Sequence, residues 1–367
     1  MVRYKLLILP ILCLMLFVQS CVHGDLDDCP PMVSFAVAFE YTSHTERGDR
    51  FYDDVKRINI YVFDKDNLVY TTETALSPYD ENFNIPLDLP MGNYHIVAWG
   101  NLLEDQPFSI TPTDFVMGET TLDEARLILQ KTAGEFNDTE LEKLFYGELD
   151  VEIPLYFSRI DTVPLMNNTE RVRIVLHWDH SKLTEEEIAD HENVVVRLKG
   201  SNSVYNFSNE RDASTVIYAP FERHMSEAEV KSVVDEDNRE WLKINYYSDD
   251  FSNISKTTAY DFTILRLFKD VPLNLVVEYW SPLINGDYII TGIADVDIVS
   301  SSTGFEYLFM SRDIVESQWQ RTFDVNDLFR VDMYIIQHSK FYNSFATGSI
   351  KIVDWHTVNQ PSVPGAD

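Results

Sequence analysis

The sequence predicts a mainly β protein made of two tandem β-sandwich domains with short capped helices. Three observations support this prediction. Short runs of alternating apolar and polar residues recur along the chain, and Val33 to Tyr41 is the clearest of them. Polar turns separate the runs, while helical patterns are few. With 367 residues, 45% of them hydrophobic, the chain is also long enough to build two cores.

Residues 1–20 are predicted to be a secretion signal. Arg3 and Lys5 precede an apolar run from Leu6 to Val18, and this run is shorter than the roughly 20 residues that span a bilayer. The run leads into Val-Gln-Ser-Cys, which resembles a bacterial lipobox, so we expect cleavage before Cys21 and lipidation of its thiol and amine. Several acyl chains, at about 0.8 kcal/mol per buried CH₂, would anchor the protein permanently. The alternative is a plain signal peptide followed by a chance cysteine.

Residues 21–31 are predicted to be a lipidated tether. Cys13 leaves with the signal, so Cys29 has no intramolecular partner, and we interpret it as a small packed residue rather than a reactive thiol. The tether contains three acidic residues, Asp25, Asp27 and Asp28. This stretch either resembles the surface-export signal of Bacteroidetes lipoproteins or is a solvated linker.

The net charge argues against nucleic acids as partners. The chain carries 60 Asp and Glu against 29 Lys and Arg, which gives −31, and the signal that is removed is basic. Phosphate backbones repel such a body, so we predict no nucleic-acid binding. Anionic headgroups repel it as well, which leaves the lipid on Cys21 to hold it at a membrane.

The N-terminal sandwich is predicted to span residues 32–165. A hairpin turn at Asp64 to Asn67 and a turn around Pro90 separate some of its strands. Thr121 to Glu124 is a capping box that predicts a short helix to about Gln130. Tyr94 to Trp99 is apolar on both faces and is therefore expected to be central. The predicted strands are Val33 to Tyr41, Val55 to Phe63, Leu68 to Thr72, Tyr94 to Trp99 and Leu144 to Ile153.

The C-terminal sandwich is predicted to span residues 166–367. The pattern breaks near 160–170, where Pro164 and Asn167-Asn168 separate apolar runs, and we place the domain boundary there. Thr184 to Glu187 predicts a second short helix. The predicted strands are Arg171 to Trp178, Val194 to Lys199, Ser214 to Tyr218, Asp261 to Phe268, Leu273 to Trp280, Asp287 to Ala294, Asp332 to Gln337 and Ser349 to Val358.

Motifs for catalysis and cofactor binding are missing from the sequence. There is no phosphate-binding loop, no Gly-x-Ser-x-Gly elbow and no His-Glu-x-x-His. His177 and His180 have a zinc-like spacing, but residues three apart on a strand point to opposite faces. We therefore predict no enzyme, no metal, no cofactor and no small-molecule substrate. A pair of acidic residues of the glycosidase kind stays open, because 60 carboxylates guarantee some neighbours.

A set of segments in fixed order resembles one family. They are CVHGDLDDCPP, VSFAVAFEY, VKRINIYVFDKDN, LDLPMGNYHIVAWGN, LFYGELDVEIP, RVRIVLHW and IKIVDWHTV. From Cys21 to Val358 the chain resembles the FimB-type anchor subunits of Bacteroidales fimbriae. The resemblance implies two transthyretin-like β-sandwiches, no enzymatic activity and a place at the base of a pilus. It also implies a lipoprotein exposed at the cell outer membrane, with fimbrial pilin subunits as partners.

The resemblance further implies assembly by β-strand addition. Related stalk pilins are cut at an arginine after the first strand, and the groove that opens accepts a neighbour's C-terminal strand. In this chain Arg47 and Arg50 follow the first strand and are the candidate protease sites. An anchor that limits pilus length is expected to stay uncut, with Val33 to Tyr41 in its own groove. Ser349 to Val358 is the candidate donor strand.

Two further alternatives to the anchor remain at this stage. One is a surface glycan-binding lipoprotein, because 6 Trp, 19 Tyr and 22 Phe could supply stacking platforms. The other is a processed stalk or tip pilin, since the two arginines are present.

Overall fold

A computed structural model of the chain describes residues 34–42, 48–65, 67–132, 134–154, 158–184, 194–225, 254–282, 288–300, 304–326, 328–339 and 342–352. Cys21, Cys29 and Arg47 lie outside these ranges, as does the predicted second helix after Thr184. The described residues form a mainly β fold, which confirms the predicted fold class.

The first ten strands come from the half of the chain before Asn168. They are β1 (Ser34–Glu40), β2 (Ile58–Asp64), β3 (Asn67–Glu73), β4 (Ile85–Leu87), β5 (Gly92–Gly100), β6 (Phe108–Thr111), β7 (Arg126–Leu129), β8 (Phe136–Asn137), β9 (Phe145–Ile153) and β10 (Ser158–Asn167).

Eleven further strands follow among the described residues. They are β11 (Thr169–Asp179), β12 (Val194–Gly200), β13 (Val204–Asn206), β14 (Arg211–Asp212), β15 (Val216–Tyr218), β16 (Glu222–Met225), β17 (Ile254–Leu265), β18 (Asn274–Pro282), β19 (Tyr288–Asp297), β20 (Leu328–Ser339) and β21 (Tyr342–Ile352). The described helices are short: α1 (Phe51–Asp54), α2 (Phe305–Ser311), a 3-10 turn (Glu316–Gln318) and α3 (Trp319–Asp324).

The N-terminal half is organised by a seven-stranded sheet in the order β3-β2-β5-β9-β10-β1-β4. β5 lies in its interior between β2 and β9, as its apolar faces predict. The β2–β3 hairpin turns at the predicted position, where Lys65 takes a φ of 57°. One face of the sheet covers a core that contains side chains of β1, α1, β2 and β5.

The remaining described strands form three sheets. Two have five strands, in the orders β16-β17-β11-β20-β21 and β19-β18-β12-β15-β8, and the third has four, in the order β14-β13-β7-β6. A second, larger core lies among them and reaches the other face of the seven-stranded sheet, where Tyr61 packs 5.0 Å from Phe207 between ring centroids. Described residues of the two halves therefore share this core.

The chain passes from one sheet to the next at Asn168, between β10 and β11. Pro164 and its neighbours do not form a break there, because Ser158–Asn167 is a continuous strand; that part of the sequence interpretation is wrong. Pro164 lies opposite Glu40 in the β1–β10 pair. β7 and β8 pair with β13 and β15 from the later half, and the boundary at residue 165 stays a prediction.

The prediction of a short helix after Thr121 is also wrong. The capping contact exists, since the Thr121 N–H donates to Glu124 Oε2 at 3.1 Å, but only a turn follows and then β7 begins. Leu127 and Leu129, two residues apart, are both fully buried, and β7 pairs with β6 and β13. Tertiary pairing has overridden a local capping signal. The sequence interpretation in turn missed α2 and α3.

Among the described residues, no helix is both long enough and apolar enough to span a bilayer.

Candidate functional site

The first strand, β1, occupies an interior position of the seven-stranded sheet. It pairs in parallel with β10 over seven residue pairs, from Ser34 with Ser158 to Glu40 with Pro164. On its other side it pairs antiparallel with the three residues of β4. The backbone N–H and C=O groups of β1 thus take part in sheet pairing on both sides of the strand. Val33 to Tyr41 was predicted to fill its own groove. The residues of this segment that the structure describes lie in that groove, between β10 and β4.

The alternating side chains of β1 fill the core beneath it. Phe35, Val37 and Phe39 are all buried, as is Tyr41 directly after the strand, and Val37 has no exposed surface. The Tyr41 ring meets Phe145 edge-on at 4.8 Å between centroids. Each large buried apolar side chain contributes about 1.5–3 kcal/mol. Removing β1 would therefore open a long apolar groove between β10 and β4.

An aromatic stack joins β1 to the chain that follows it. Phe39 and Phe51 stack with centroids 5.6 Å apart, and Phe51 stacks on Tyr79 at 5.5 Å. Tyr79 in turn lies 4.1 Å from Phe83. Burial raises the pKa of the Tyr79 hydroxyl, which donates to the Lys56 carbonyl at 3.0 Å. Phe51, the residue directly after Arg50, is fully buried in this stack.

Asp49 closes the loop between β1 and α1. Its Oδ1 accepts the Tyr41 N–H at 2.8 Å and the Phe51 N–H at 2.9 Å. The Arg50 N–H donates to the Tyr41 carbonyl at 2.9 Å. We call Tyr41, Asp49, Arg50 and Phe51 the junction clasp. Hydrogen bonds to a charged acceptor are about twice as strong as neutral ones, so one carboxylate holds both ends of the loop.

The Arg50 side chain is engaged as well. Its Nη2 lies 2.8 Å from Asp54 Oδ1, and Lys143 Nζ lies 3.1 Å from the other oxygen of the same carboxylate. The Arg50 carbonyl accepts the Asp53 and Asp54 N–H groups at 3.2 and 3.0 Å. The peptide bond after Arg50 is therefore part of a helix start. Arg47, the other candidate protease site, lies outside the described residues.

The candidate donor strand lies partly in β21. Ser349 to Ile352 pair with Asp332 to Phe329 of β20, at the edge of a five-stranded sheet. Residues 353–358 lie outside the described part of the chain. The described part of this strand is tucked into a sheet of its own chain.

A buried carboxylate with two hydrogen-bonding partners lies beside that edge. His177 Nε2 is 2.7 Å from Asp332 Oδ1, and both side chains are almost fully buried. Arg330 donates from Nε and Nη2 to the same carboxylate, both at 3.0 Å. Burial alone would raise the pKa of Asp332, but the hydrogen bonds from His177 and Arg330 hold it below its usual value. The buried Asp332 carboxylate is thus satisfied by the His177 hydrogen bond and by the Arg330 cation.

His177 and His180 do not form a site together. His177 is engaged by Asp332, while the ring of His180 lies 5.9 Å from that of Trp178. In the described ranges, His, Cys, Asp and Glu form no group of three or more with a geometry that could hold a metal ion.

Sequence reasoning located β1 and both arginines but missed the clasp. A signal was available: Asp49 precedes Phe51 by two residues, and an aspartate at this spacing commonly accepts a backbone N–H to form a turn. The contact between Asp49 and Tyr41, which are eight residues apart, could not be predicted from the sequence. It depends on the path by which the loop returns to the end of β1.

The chain is similar to a fimbrial anchor protein in sequence and to two solved structures in fold. The chain is 25% identical to the minor fimbrium anchoring subunit Mfa2 of Porphyromonas gingivalis over 210 residues, which cover 56% of this chain and 61% of that relative. The fimbrial anchor protein Mfa2 of P. gingivalis superposes with a TM-score of 0.56 at 20% identity, covering 88% of this chain and 98% of that one.

A candidate adhesin from Bacteroides ovatus superposes with a TM-score of 0.62 at 16% identity, covering 89% of this chain and 96% of that one. At these identities the two solved structures support the fold. The sequence model of the protein family described as fimbrillin-A associated anchor proteins Mfa1 and Mfa2 matches residues 26–361 of this chain. The chain is therefore a member of the family of fimbrillin-A associated anchor proteins Mfa1 and Mfa2.

Proposed function

We propose that this chain is the anchor subunit of a fimbrium, held in the outer membrane by a lipid on Cys21. It is a structural subunit without catalysis, exposed at the cell surface, whose partners are pilin subunits of the same pilus. Membership of the anchor-protein family supports this proposal. The observation that carries it is the position of β1, which fills its own groove between β10 and β4.

The junction clasp explains how β1 would be retained. A protease needs its target bond in an extended, accessible segment, which requires local unfolding of any structure around that bond. The bond after Arg50 begins α1 and is followed by a fully buried Phe51. Cleavage there would first have to break the Asp49 contacts and remove Phe51 from its stack. An uncut chain keeps its body joined to the lipid on Cys21.

A closed groove also accounts for a limit on pilus length. A subunit whose groove is already filled cannot accept a strand from a neighbour, so growth would end at this subunit. Its connection to the pilus then depends on a strand that it donates to the next subunit. Ser349 to Val358 remains the candidate donor; its described part pairs with β20, so donation would require it to leave that sheet.

Intact mass and N-terminal analysis of protein from cell envelopes test the proposal. The expected result is an acylated Cys21 at the start of an uncut chain that co-purifies with pilins. A free N-terminus at Phe51 or just after Arg47 would contradict it and show a processed, polymerising pilin. An unacylated Cys21 would contradict the membrane attachment alone.

A further inference from the structure

The lipid tether enters the body at one end of the seven-stranded sheet. Ser34 begins β1 and lies beside Ser158, the first residue of β10. Phe35 lies opposite Leu87, the last residue of β4. Gly92, the first residue of β5, lies opposite Ile153, the last residue of β9. The starts of β1, β5 and β10 and the ends of β4 and β9 therefore meet at this end, which we call the tether end.

The tether end exposes apolar side chains. Among the large hydrophobic residues that are exposed in the described ranges, Met91 and Ile160 have the largest exposed fractions, 65% and 58%. Met91 lies directly before β5, and Ile160 lies two residues into β10, opposite Ala36. Single exposed apolar residues are ordinary. Two such residues at the end that receives a lipid tether call for a common explanation.

The length of the tether limits which end of the body can meet the membrane. From Cys21 to Ser34 the chain advances about 13 residues, which reach at most roughly 45 Å when fully extended. A nine-residue strand such as β5 adds about 30 Å to the distance of the opposite end. Whenever the tether spans less than that distance of about 30 Å, the opposite end cannot reach the bilayer, and the tether end is the part of the body nearest to it.

We propose that the tether end rests on the lipid surface that holds the chain's own acyl groups, with Met91 and Ile160 in the interfacial layer. The inference rests on the proposed lipidation of Cys21. Asp88 and Glu152 are exposed at the same end, so the surface that fits is zwitterionic rather than strongly anionic. Contact of this kind would fix the direction in which the body stands on the membrane.

Fluorescence quenching in vesicles tests the contact. The acylated protein is reconstituted in phosphatidylcholine vesicles that contain a lipid with a nitroxide just below its headgroup. In a Cys29→Ser background, Met91→Cys or Ile160→Cys carries an environment-sensitive dye. Leu76→Cys is the matched control: Leu76 is 57% exposed and lies just past Thr74, whose N–H binds the Ile58 carbonyl at the opposite end of the sheet.

The expected result is at least about threefold stronger quenching at positions 91 and 160 than at position 76, as for side chains about 5–10 Å deep in the interface. Equal quenching at all three positions would overturn the inference. So would dyes at 91 and 160 that are shielded from aqueous iodide but not quenched by the lipid, since a second copy of the chain would then cover them.

The mass of the reconstituted protein separates this inference from the proposed function. An acylated Cys21 with equal quenching refutes the membrane contact and leaves the anchor standing. An unacylated chain removes the proposed membrane attachment and this contact with it, because the tether end would then have no reason to face a bilayer.

Discussion

Asp49 accepts the backbone N–H of Tyr41 and of Phe51 through a single carboxylate oxygen, at 2.8 and 2.9 Å. Tyr41, which directly follows β1, and Phe51, the first residue of α1, are thereby held by one side chain. The clasp spans the loop that contains Arg47 and ends at Arg50, both of them candidate protease sites. We therefore expect the stability of the junction, rather than the presence of an arginine, to decide whether β1 is released.

Removing the Asp49 carboxylate should expose the bond after Arg50. Two hydrogen bonds to a charged group are lost in Asp49→Ala, each worth about 1.5–3 kcal/mol. We expect cleavage after Arg50 by an arginine-specific protease to rise at least about tenfold, because each 1.4 kcal/mol raises the open population tenfold. Limited proteolysis followed by mass spectrometry measures the rate.

Asp53→Ala is the control for that experiment. Asp53 is an exposed carboxylate in the same helix and takes no part in the clasp. Its variant should be cut at the wild-type rate. Equal rates for the two variants would show that the clasp does not protect the bond.

Truncating a side chain of β1 should destabilise the protein strongly. Phe39 is buried and stacks on Phe51, and Phe→Ala in a core costs about 3–5 kcal/mol. We expect Phe39→Ala to lower the free energy of unfolding by that amount in chemical denaturation. Val69→Ala, at an exposed position of β3, should change it by less than about 0.5 kcal/mol. A small effect of Phe39→Ala would mean that β1 is not stably seated.

The buried pair of His177 and Asp332 should make stability depend on pH. The folded pKa of Asp332 lies below its usual 3.8. Its contribution is therefore fully present above that value and is lost as pH falls through the lowered folded pKa. At neutral pH we expect Asp332→Asn to reduce stability by about 3–5 kcal/mol, because His177 and Arg330 lose their charged partner.

That difference between wild type and Asp332→Asn should shrink as the pH falls below 3.8, which denaturation at several pH values would show. Asp212→Asn provides the comparison, since Asp212 is half-exposed and pairs with Arg126 at 2.7 Å. A surface pair of this kind contributes about 0–1 kcal/mol. A difference that does not change with pH would contradict the role given to Asp332.

The two mature cysteines should behave differently in cells. We expect Cys21→Ala to lose acylation and membrane retention, because the acyl chains are the proposed attachment. Cys29→Ala should stay in the membrane fraction. Fractionation with metabolic fatty-acid labelling distinguishes them, and retention of the Cys21 variant would refute the lipid anchor.

The sequence predicted those parts of the fold in which local pattern and tertiary environment agree. The alternation in Val33 to Tyr41 predicted β1, and the two apolar faces of Tyr94 to Trp99 predicted an interior strand. The capping box at Thr121 failed because β6 and β13 recruit Arg126–Leu129 into a sheet. Pro164 looked like a break, yet β10 accommodates it opposite Glu40.

The candidate site was predicted in outline but not in mechanism. Position along the chain identified the first strand and the arginines after it. The contact of Asp49 with Tyr41, the burial of Phe51 and the parallel register with β10 depend on how distant segments return to one another. No local pattern encodes these relationships.

The parallel register of β1 and β10 has a mechanical consequence. If a pilus pulls on the body while the lipid holds the N-terminus, tension enters at Ser34 and runs along β1. Its pairs with β10 and β4 are then loaded in shear, side by side, instead of being peeled apart one after another. The strand that closes the groove would thus also act as the grip that keeps a strained fibre attached to its cell.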